Sequence, residues 1–277
     1  MKKINRYLST LALPVFALFF SSCGNESPTK ENATDTRQTS TADTLLWEKA
    51  MVEKSEGDCK AGNCIQVSFQ TLKFISGNKV IDDALNAWQE KTMIEMSGQN
   101  AAGNLNEAGD KLIHNFLNEM EYDPEYMQSW EMECVASIDF QDTEIISLSV
   151  SAYTYFGGAH PNSDVAMISV YKSTGKMVTL EDLVSDTAQL RSIAQEKFKA
   201  EFCKETKGDC SEAGFDFGEE DFPLAANFEV TEKGILFFYN QYEIAPYAMG
   251  TFDLTLEWKE IESILKGKLK GGKKSSV

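Results

Sequence analysis

The sequence predicts an α+β fold: a mainly antiparallel sheet with helices packed on it. Three observations carry this. Apolar and polar residues alternate at period two over several stretches, as half-buried strands do. Amphipathic segments with helical spacing fall between them. The strands come in adjacent runs joined by short turns, which favours antiparallel neighbours over a strictly alternating βα chain. With 277 residues and 42% hydrophobic side chains, the chain can bury a core as one large domain or two small ones.

Residues 1–22 read as a signal peptide. Lys2, Lys3 and Arg6 form a basic head, Leu11 to Phe20 an apolar run, and Ser21 and Ser22 precede Cys23. A cysteine after two small residues resembles a bacterial lipobox, in which cleavage falls before the cysteine and lipid is attached to it. Phe20 stands where that pattern prefers Leu. Ten apolar residues are too few for a transmembrane anchor. Residues 23–45 have almost no apolar side chain after the cysteine and read as a flexible tether.

The folded part is expected over 46–265, divided into an N-terminal α+β part (46–150) and a C-terminal part (151–265). Ile65, Val67 and Phe69 mark a strand from Cys64 to Phe74, followed by a Ser76-Gly77-Asn78 turn. A helix is predicted from Ile81 to about Met96, with Leu85 and Trp88 on one face. Another is predicted from Glu107 to Tyr122, with an apolar stripe of Ile113, Phe116, Leu117 and Met120, stopped by Pro124. The clearest strand is 130–140, where Trp130, Met132, Cys134, Ala136, Ile138 and Phe140 alternate with mostly polar residues. In the next, Ile146, Leu148, Val150 and Ala152 face inward, and Ser147, Ser149, Ser151, Tyr153 and Tyr155 face out.

Val165 to Tyr171 forms a further strand. Thr179 and Asp182 make a capping pair, and a helix from about Thr187 to Phe202 points Leu190, Ile193, Ala194 and Phe198 inward. Residues 204–221 form a Gly-rich acidic loop. Strands follow at 228–231, 235–239 and 251–257, with a Glu232-Lys233-Gly234 hairpin turn. Trp258, Ile261 and Leu265 fit a closing helix. Residues 266–277 carry five lysines and no acid, and read as a basic disordered tail.

The net charge is −17. Removing residues 1–22 deepens it to −20, and residues 23–265 alone hold −25. Such acidity argues against nucleic acid, whose phosphates need clustered Lys and Arg. Two histidines exclude a histidine-rich metal site.

Export places the cysteines where disulfides persist. Cys59 with Cys64, and Cys203 with Cys210, bracket short closable loops, so two local disulfides are the economical reading. Cys134 is left buried as a small hydrophobe. A four-cysteine zinc site is the rival, though neither spacing is the CxxC knuckle.

No hydrolase elbow, zincin helix, phosphate loop or dinucleotide fingerprint is present. His114, at the edge of its helix stripe, reads as an exposed structural histidine. Two segments stand out. One is Tyr153-Thr154-Tyr155-Phe156-Gly157-Gly158-Ala159-His160-Pro161, whose paired glycines suit a positive φ or a close backbone approach. The other is Tyr242-Glu243-Ile244-Ala245-Pro246-Tyr247-Ala248-Met249-Gly250. Both read as turn-and-packing motifs. His160 and Glu243 form an acid–base pair only if the fold brings them together. Glu205, Asp209, Glu212, Asp216, Glu219, Glu220 and Asp221 lack calcium-loop spacing and read as a solvated acidic loop, a candidate partner-binding surface. No metal or cofactor is expected.

The YxYxGGAHP stretch, then STGKMVTLEDLV, then GILFFYNQYEIAPYAMG, resembles an extracytoplasmic domain of unknown function. That domain occurs in the outer half of lysozyme-sensing anti-sigma factors of the RsiV type and in the N-terminal part of a PdaC-type peptidoglycan deacetylase. The earlier region with Val80-Ile81-Asp82-Asp83-Ala84-Leu85 looks like its companion domain. Together the resemblance spans about residues 46–265. It implies an α+β fold without an intrinsic active site, and direct lysozyme binding in the anti-sigma members.

The expected function is therefore non-enzymatic: a lipid-anchored binding module of the bacterial cell envelope, periplasmic or surface-exposed, that captures lysozyme or another cationic protein. The alternative is a glycan- or peptidoglycan-binding lipoprotein.

Overall fold

The computed structural model describes residues 45–122, 128–218 and 222–267. Cys23, the expected signal peptide (1–22), residues 24–44, the expected Pro124 stop, Glu219, Glu220, Asp221 and the tail lysines from 268 onward lie outside the described residues. Among those described, four α-helices and eight strands form two sheets with helices packed on them, an α+β architecture.

The first sheet has the order β1-β2-β3-β4-β5. Its strands are β1 (Trp47–Asp58), β2 (Asn63–Phe74), β3 (Trp130–Gln141), β4 (Ile145–Tyr155) and β5 (Asn162–Tyr171). All neighbours are antiparallel except β2 and β3. Those two run parallel because α1 (Lys79–Met96) and α2 (Leu105–Tyr122) form the crossover between them. β4 runs unbroken across residue 150, so the sheet is continuous there.

Local chemistry sets the helices. The Asn78 side chain caps α1 by accepting from the Val80 N–H, and Asp82 accepts from the Ser76 and Gly77 N–H groups. Past its pairing with β3, β2 meets α1 instead. Buried Gln89 brackets Leu72, accepting from its N–H (2.8 Å) and donating to its carbonyl (3.0 Å), and Asn86 does the same for Phe74. These amides substitute for a missing strand and satisfy backbone groups that burial would otherwise strand.

The second sheet is the antiparallel trio β6 (Phe228–Val230), β7 (Gly234–Tyr239) and β8 (Phe252–Glu257). It packs with α3 (Leu180–Leu183), whose Thr179–Asp182 capping box forms as expected, and with α4 (Thr187–Phe202). One core lies between the first sheet and α1–α2, around Ile65, Phe69, Leu85, Leu112, Phe116 and Leu148. The other surrounds Phe198, Phe222, Phe237, Tyr239 and Leu254.

Four sequence expectations change. β1 carries no strand signal in the sequence, because its charged residues hide the half-burial of Trp47, Ala50, Val52 and Lys54 at an edge. The buried face of α2 is Leu105, Ala108, Leu112 and Phe116; Leu117 is exposed, and Ile113 and Met120 sit at the flank. Residues 258–265 form turns rather than a helix. Their backbone is drawn onto the α3–α4 link: Ile264 accepts from Ser185 (2.7 Å), Leu265 bridges Val184, and Lys266 donates to Leu183 (2.8 Å). Finally, Ser147 is not on a wet face. It is fully buried beneath β6.

Candidate functional site

The two unusual sequence segments meet. β4 ends in a turn where Gly157 and Gly158 take φ of 79° and 103°, so the pair serves backbone conformation. No heavy atom lies within 4 Å of a Cβ built on Gly158. Tyr155 closes this turn, its single hydroxyl proton shared between the Gly158 carbonyl (3.0 Å) and the Gln128 side-chain carbonyl. Phe156 lies on Trp130, which packs edge-on against Phe116 of the first core.

Beyond the turn, His160 stacks on Tyr247, with ring centroids 3.8 Å apart and planes 23° apart. The Tyr247 hydroxyl donates to the Pro161 carbonyl at 2.8 Å, and His160 Nδ1 lies 2.9 Å from the same oxygen. A carbonyl only accepts, so that nitrogen carries the proton. Tyr242 extends the ladder, 5.6 Å from Tyr247 and tilted by 35°. Tyr242 is 62% exposed and holds a left-handed φ of 68°, unusual for a non-glycine residue.

Two asparagines fix this face to the first sheet. Asn240, just past β7, accepts from the Val165 N–H (2.8 Å) and donates to its carbonyl (3.0 Å). Asn227, just before β6, accepts from the Met167 N–H (2.8 Å) and donates to the same Val165 carbonyl (2.8 Å). The outer edge of β5 is thereby paired by side chains instead of a sixth strand. Asn240 also reaches Glu243 Oε1 at 3.4 Å.

Beside the ladder lies a groove of about 550 Å³ whose lining includes Asp216, Phe217, Pro223, Tyr242, Glu243 and Pro246, and no basic side chain among the described residues. Its floor is tied to the acidic loop, because Asp216 donates its N–H to the Ile244 carbonyl (2.9 Å). That loop is anchored rather than simply solvated. The Cys203–Cys210 disulfide closes its base, and Phe215 and Phe217 pack edge-on against Phe198. Glu205, Asp209 and Glu212 stay on its exposed side. Asp209 and Asp216 accept from the N–H groups of Glu212 (3.0 Å) and Gly218 (2.9 Å), which shapes local turns.

His160 and Glu243 share this face, but no hydrogen bond or ion pair joins them among the described residues. The imidazole is committed to Tyr247 and Pro161, and Glu243 to Asn240. His114 is exposed, with Nε2 3.1 Å from the Asn118 amide. The second expected disulfide, Cys59–Cys64, is also formed, and Cys134 is free and buried. Burial pushes the Cys134 thiol up to about 12, which removes it as a nucleophile. Among the described residues, no group of three His, Cys, Asp or Glu side chains is placed to hold a metal ion, and no helix is long and apolar enough to cross a membrane.

The fold and this face together define a two-sheet α+β protein with an exposed aromatic ladder beside a carboxylate-lined groove. Comparison with known proteins points the same way for the fold. Residues 59–163 match the family model described as deacetylase PdaC. Residues 181–259 match that of DUF3298, a protein family of unknown function. Two crystal structures of DUF3298 family proteins are similar. One, from Bacteroides fragilis NCTC 9343, has a TM-score of 0.69 at 18% identity, covering 84% of this chain and 99% of that one. The other, from Pseudomonas aeruginosa PAO1, has a TM-score of 0.61 at 20% identity, covering 81% and 95%. No curated relative matches the chain.

Proposed function

We propose that this protein is a lipid-anchored, extracytoplasmic binding module that captures a cationic protein, such as lysozyme, on the His160–Tyr247–Tyr242 face. The observation that carries this reading is the meeting of two distant sequence motifs in one exposed aromatic ladder edged by Glu243 and Asp216. Aromatic faces attract Lys and Arg heads, and carboxylates at their rim add directional charge. The −25 charge over residues 23–265 steers cationic partners and speeds their encounter.

The topology suits a tethered receptor. The chain enters the sheet at Trp47, whereas the ladder follows the β4–β5 turn, where Thr154 pairs with Asn162 at the opposite end. The 12 residues of β1 span roughly 40 Å at about 3.3 Å each, which separates the ladder from the point where the chain enters the sheet.

Calorimetry with lysozyme at low and moderate salt tests the reading. Binding that weakens with salt is expected, and no binding at either salt overturns it. Lipidation is read from labelled palmitate incorporation, which Cys23→Ser abolishes.

A second reading, a glycan or peptidoglycan binder, is favoured by the exposure of Tyr242, since sugar rings stack on such faces. Co-sedimentation with peptidoglycan decides it. In either case the role is binding rather than catalysis. Release of acetate from peptidoglycan by the purified protein, as the name of the model matched by residues 59–163 suggests, would refute that.

A further inference from the structure

The seam between the two sheets holds an unusual pair of acids. Glu229 lies on β6 and is only 3% exposed. Asp139 lies on β3 at the bulge between Ile138 and Phe140 and keeps solvent access. The two carboxyl groups face each other closely enough to interact, and the bulge sets Asp139 opposite the Ser147–Ser149 stretch of β4. Glu229 Oε2 has no hydrogen-bond partner.

Next to Glu229, Val230 is clamped on both sides. Ser147 donates to its carbonyl (2.6 Å), its N–H is accepted by Ser169 (2.7 Å), and the two hydroxyls bond each other (2.8 Å). The surrounding elements offer Glu229 hydroxyls or apolar groups. β4 and β5 bring Ser147, Ser149 and Ser169 to this seam, and the cross-strand neighbour on β7 is Leu236. Among the described residues Asp139 is the charged group acting on it, and no Lys or Arg acts on either carboxyl.

A carboxyl as deeply buried as Glu229 does not stay ionised beside a second carboxylate. We propose that Asp139 and Glu229 share one proton, and that this proton latches β6 onto the five-stranded sheet. The Glu229 carboxyl O–H donates to the Asp139 carboxylate. The orphaned Oε2 is then a neutral carbonyl oxygen, far cheaper to bury than half of an anion. When hydroxide removes the proton, two anions face each other across the seam and the seat of β6 loosens. Asn227, two residues before Glu229, holds Val165 and Met167 of β5, the strand that follows Pro161. The latch therefore reaches the base of the aromatic ladder. Burial first, and the Asp139 charge second, push Glu229 up to about 8, and burial also raises Asp139.

The sign of the linkage follows. Between the ordinary carboxylate range and about 8, the folded chain binds a proton that the unfolded chain has released. Stability falls as pH rises through that window and levels off above it, by up to about tenfold in the folding equilibrium constant per pH unit.

The test compares denaturation of the wild-type chain and Glu229→Gln from pH 5 to 9.5, with infrared spectra of the wild type. Glu229→Gln keeps a donor to Asp139 without the titration. The wild type should lose stability relative to the variant across the window, and should show a protonated carboxyl band at pH 7 that disappears in alkali. Parallel pH profiles, or no protonated carboxyl at pH 7, overturn the proposal. So does a gain of stability with calcium or magnesium that Glu229→Gln abolishes, since a cation would then hold the pair. If the variant fails to fold, the wild-type infrared titration decides alone.

Discussion

Tyr247 donates its hydroxyl to the Pro161 carbonyl while its ring lies flat on His160, joining the β4–β5 turn of the first sheet to the β7–β8 loop of the second. The two contacts are separable. Tyr247→Phe keeps the stack and removes one hydrogen bond from a half-buried carbonyl that retains His160 as a partner. A loss of about 1 kcal/mol in urea denaturation is expected. Tyr247→Ala removes the stack as well and should cost more, with His160 released to solvent and its NMR resonances narrowed.

The Ser147–Ser169 pair is the firmest polar link beneath β6. Ser169→Ala removes the acceptor for the Val230 N–H and the donor to Ser147, leaving a buried backbone donor unpaired. That should cost about 1–3 kcal/mol. Ser147→Ala removes the donor to the Val230 carbonyl and the acceptor for the Ser169 hydroxyl, and should cost a similar amount. Thermal unfolding of both variants checks this, and no loss of stability at either serine would contradict the buried hydrogen-bond pair.

Local features were legible in the sequence, and contacts across the chain were not. Period-two alternation marked β3 and β4, and helical spacing marked α1 and α4, because each pattern is the footprint of a buried face on a single element. The two disulfides were legible for the same reason, since each closes a loop within its own segment. The serine face of β4 looked solvated because nothing in its own segment announces that β6, eighty-three residues from Ser147, will cover it. β1 stayed hidden because an edge strand carries charges on positions that an interior strand could not. The YxYxGGAHP and YEIAPYAMG segments were individually visible as oddities. Their stacking depends on Asn227 and Asn240 pairing the edge of β5, and isolated asparagines give no warning of that.

The cysteines divide by chemistry. Loops of this size give a stabilisation of about 2 kcal/mol per disulfide. Cys203 and Cys210 are both buried and secure the segment that carries Phe215 and Phe217, whereas Cys59 is exposed. Reduction should therefore open Cys59–Cys64 first. Under native, non-reducing conditions Cys134 should resist alkylation, since its thiol is buried and held protonated. Unfolding without reductant should expose it to label while the four bonded cysteines stay unlabelled. Peptide mass spectrometry reads both outcomes.

Two glycines separate steric from conformational need. At Gly234, which opens β7 after the hairpin turn, an added Cβ would lie 1.9 Å from the Leu256 carbonyl oxygen and 2.8 Å from the Glu257 Cα. Both obstacles are backbone of the paired strand β8, so neither can rotate away as a side chain would. Gly234→Ala must push β7 from β8 at the edge of the second core, and a loss upwards of about 3 kcal/mol is expected. At Gly158 the space is open and only the positive φ resists a side chain. Gly158→Ala should cost about 1–2 kcal/mol, and Gly158→Asn less, because asparagine tolerates the left-handed region better. Chemical denaturation of the three variants checks the order. A Gly234→Ala chain as stable as Gly158→Ala would mean that β7 and β8 sit farther apart than their register allows.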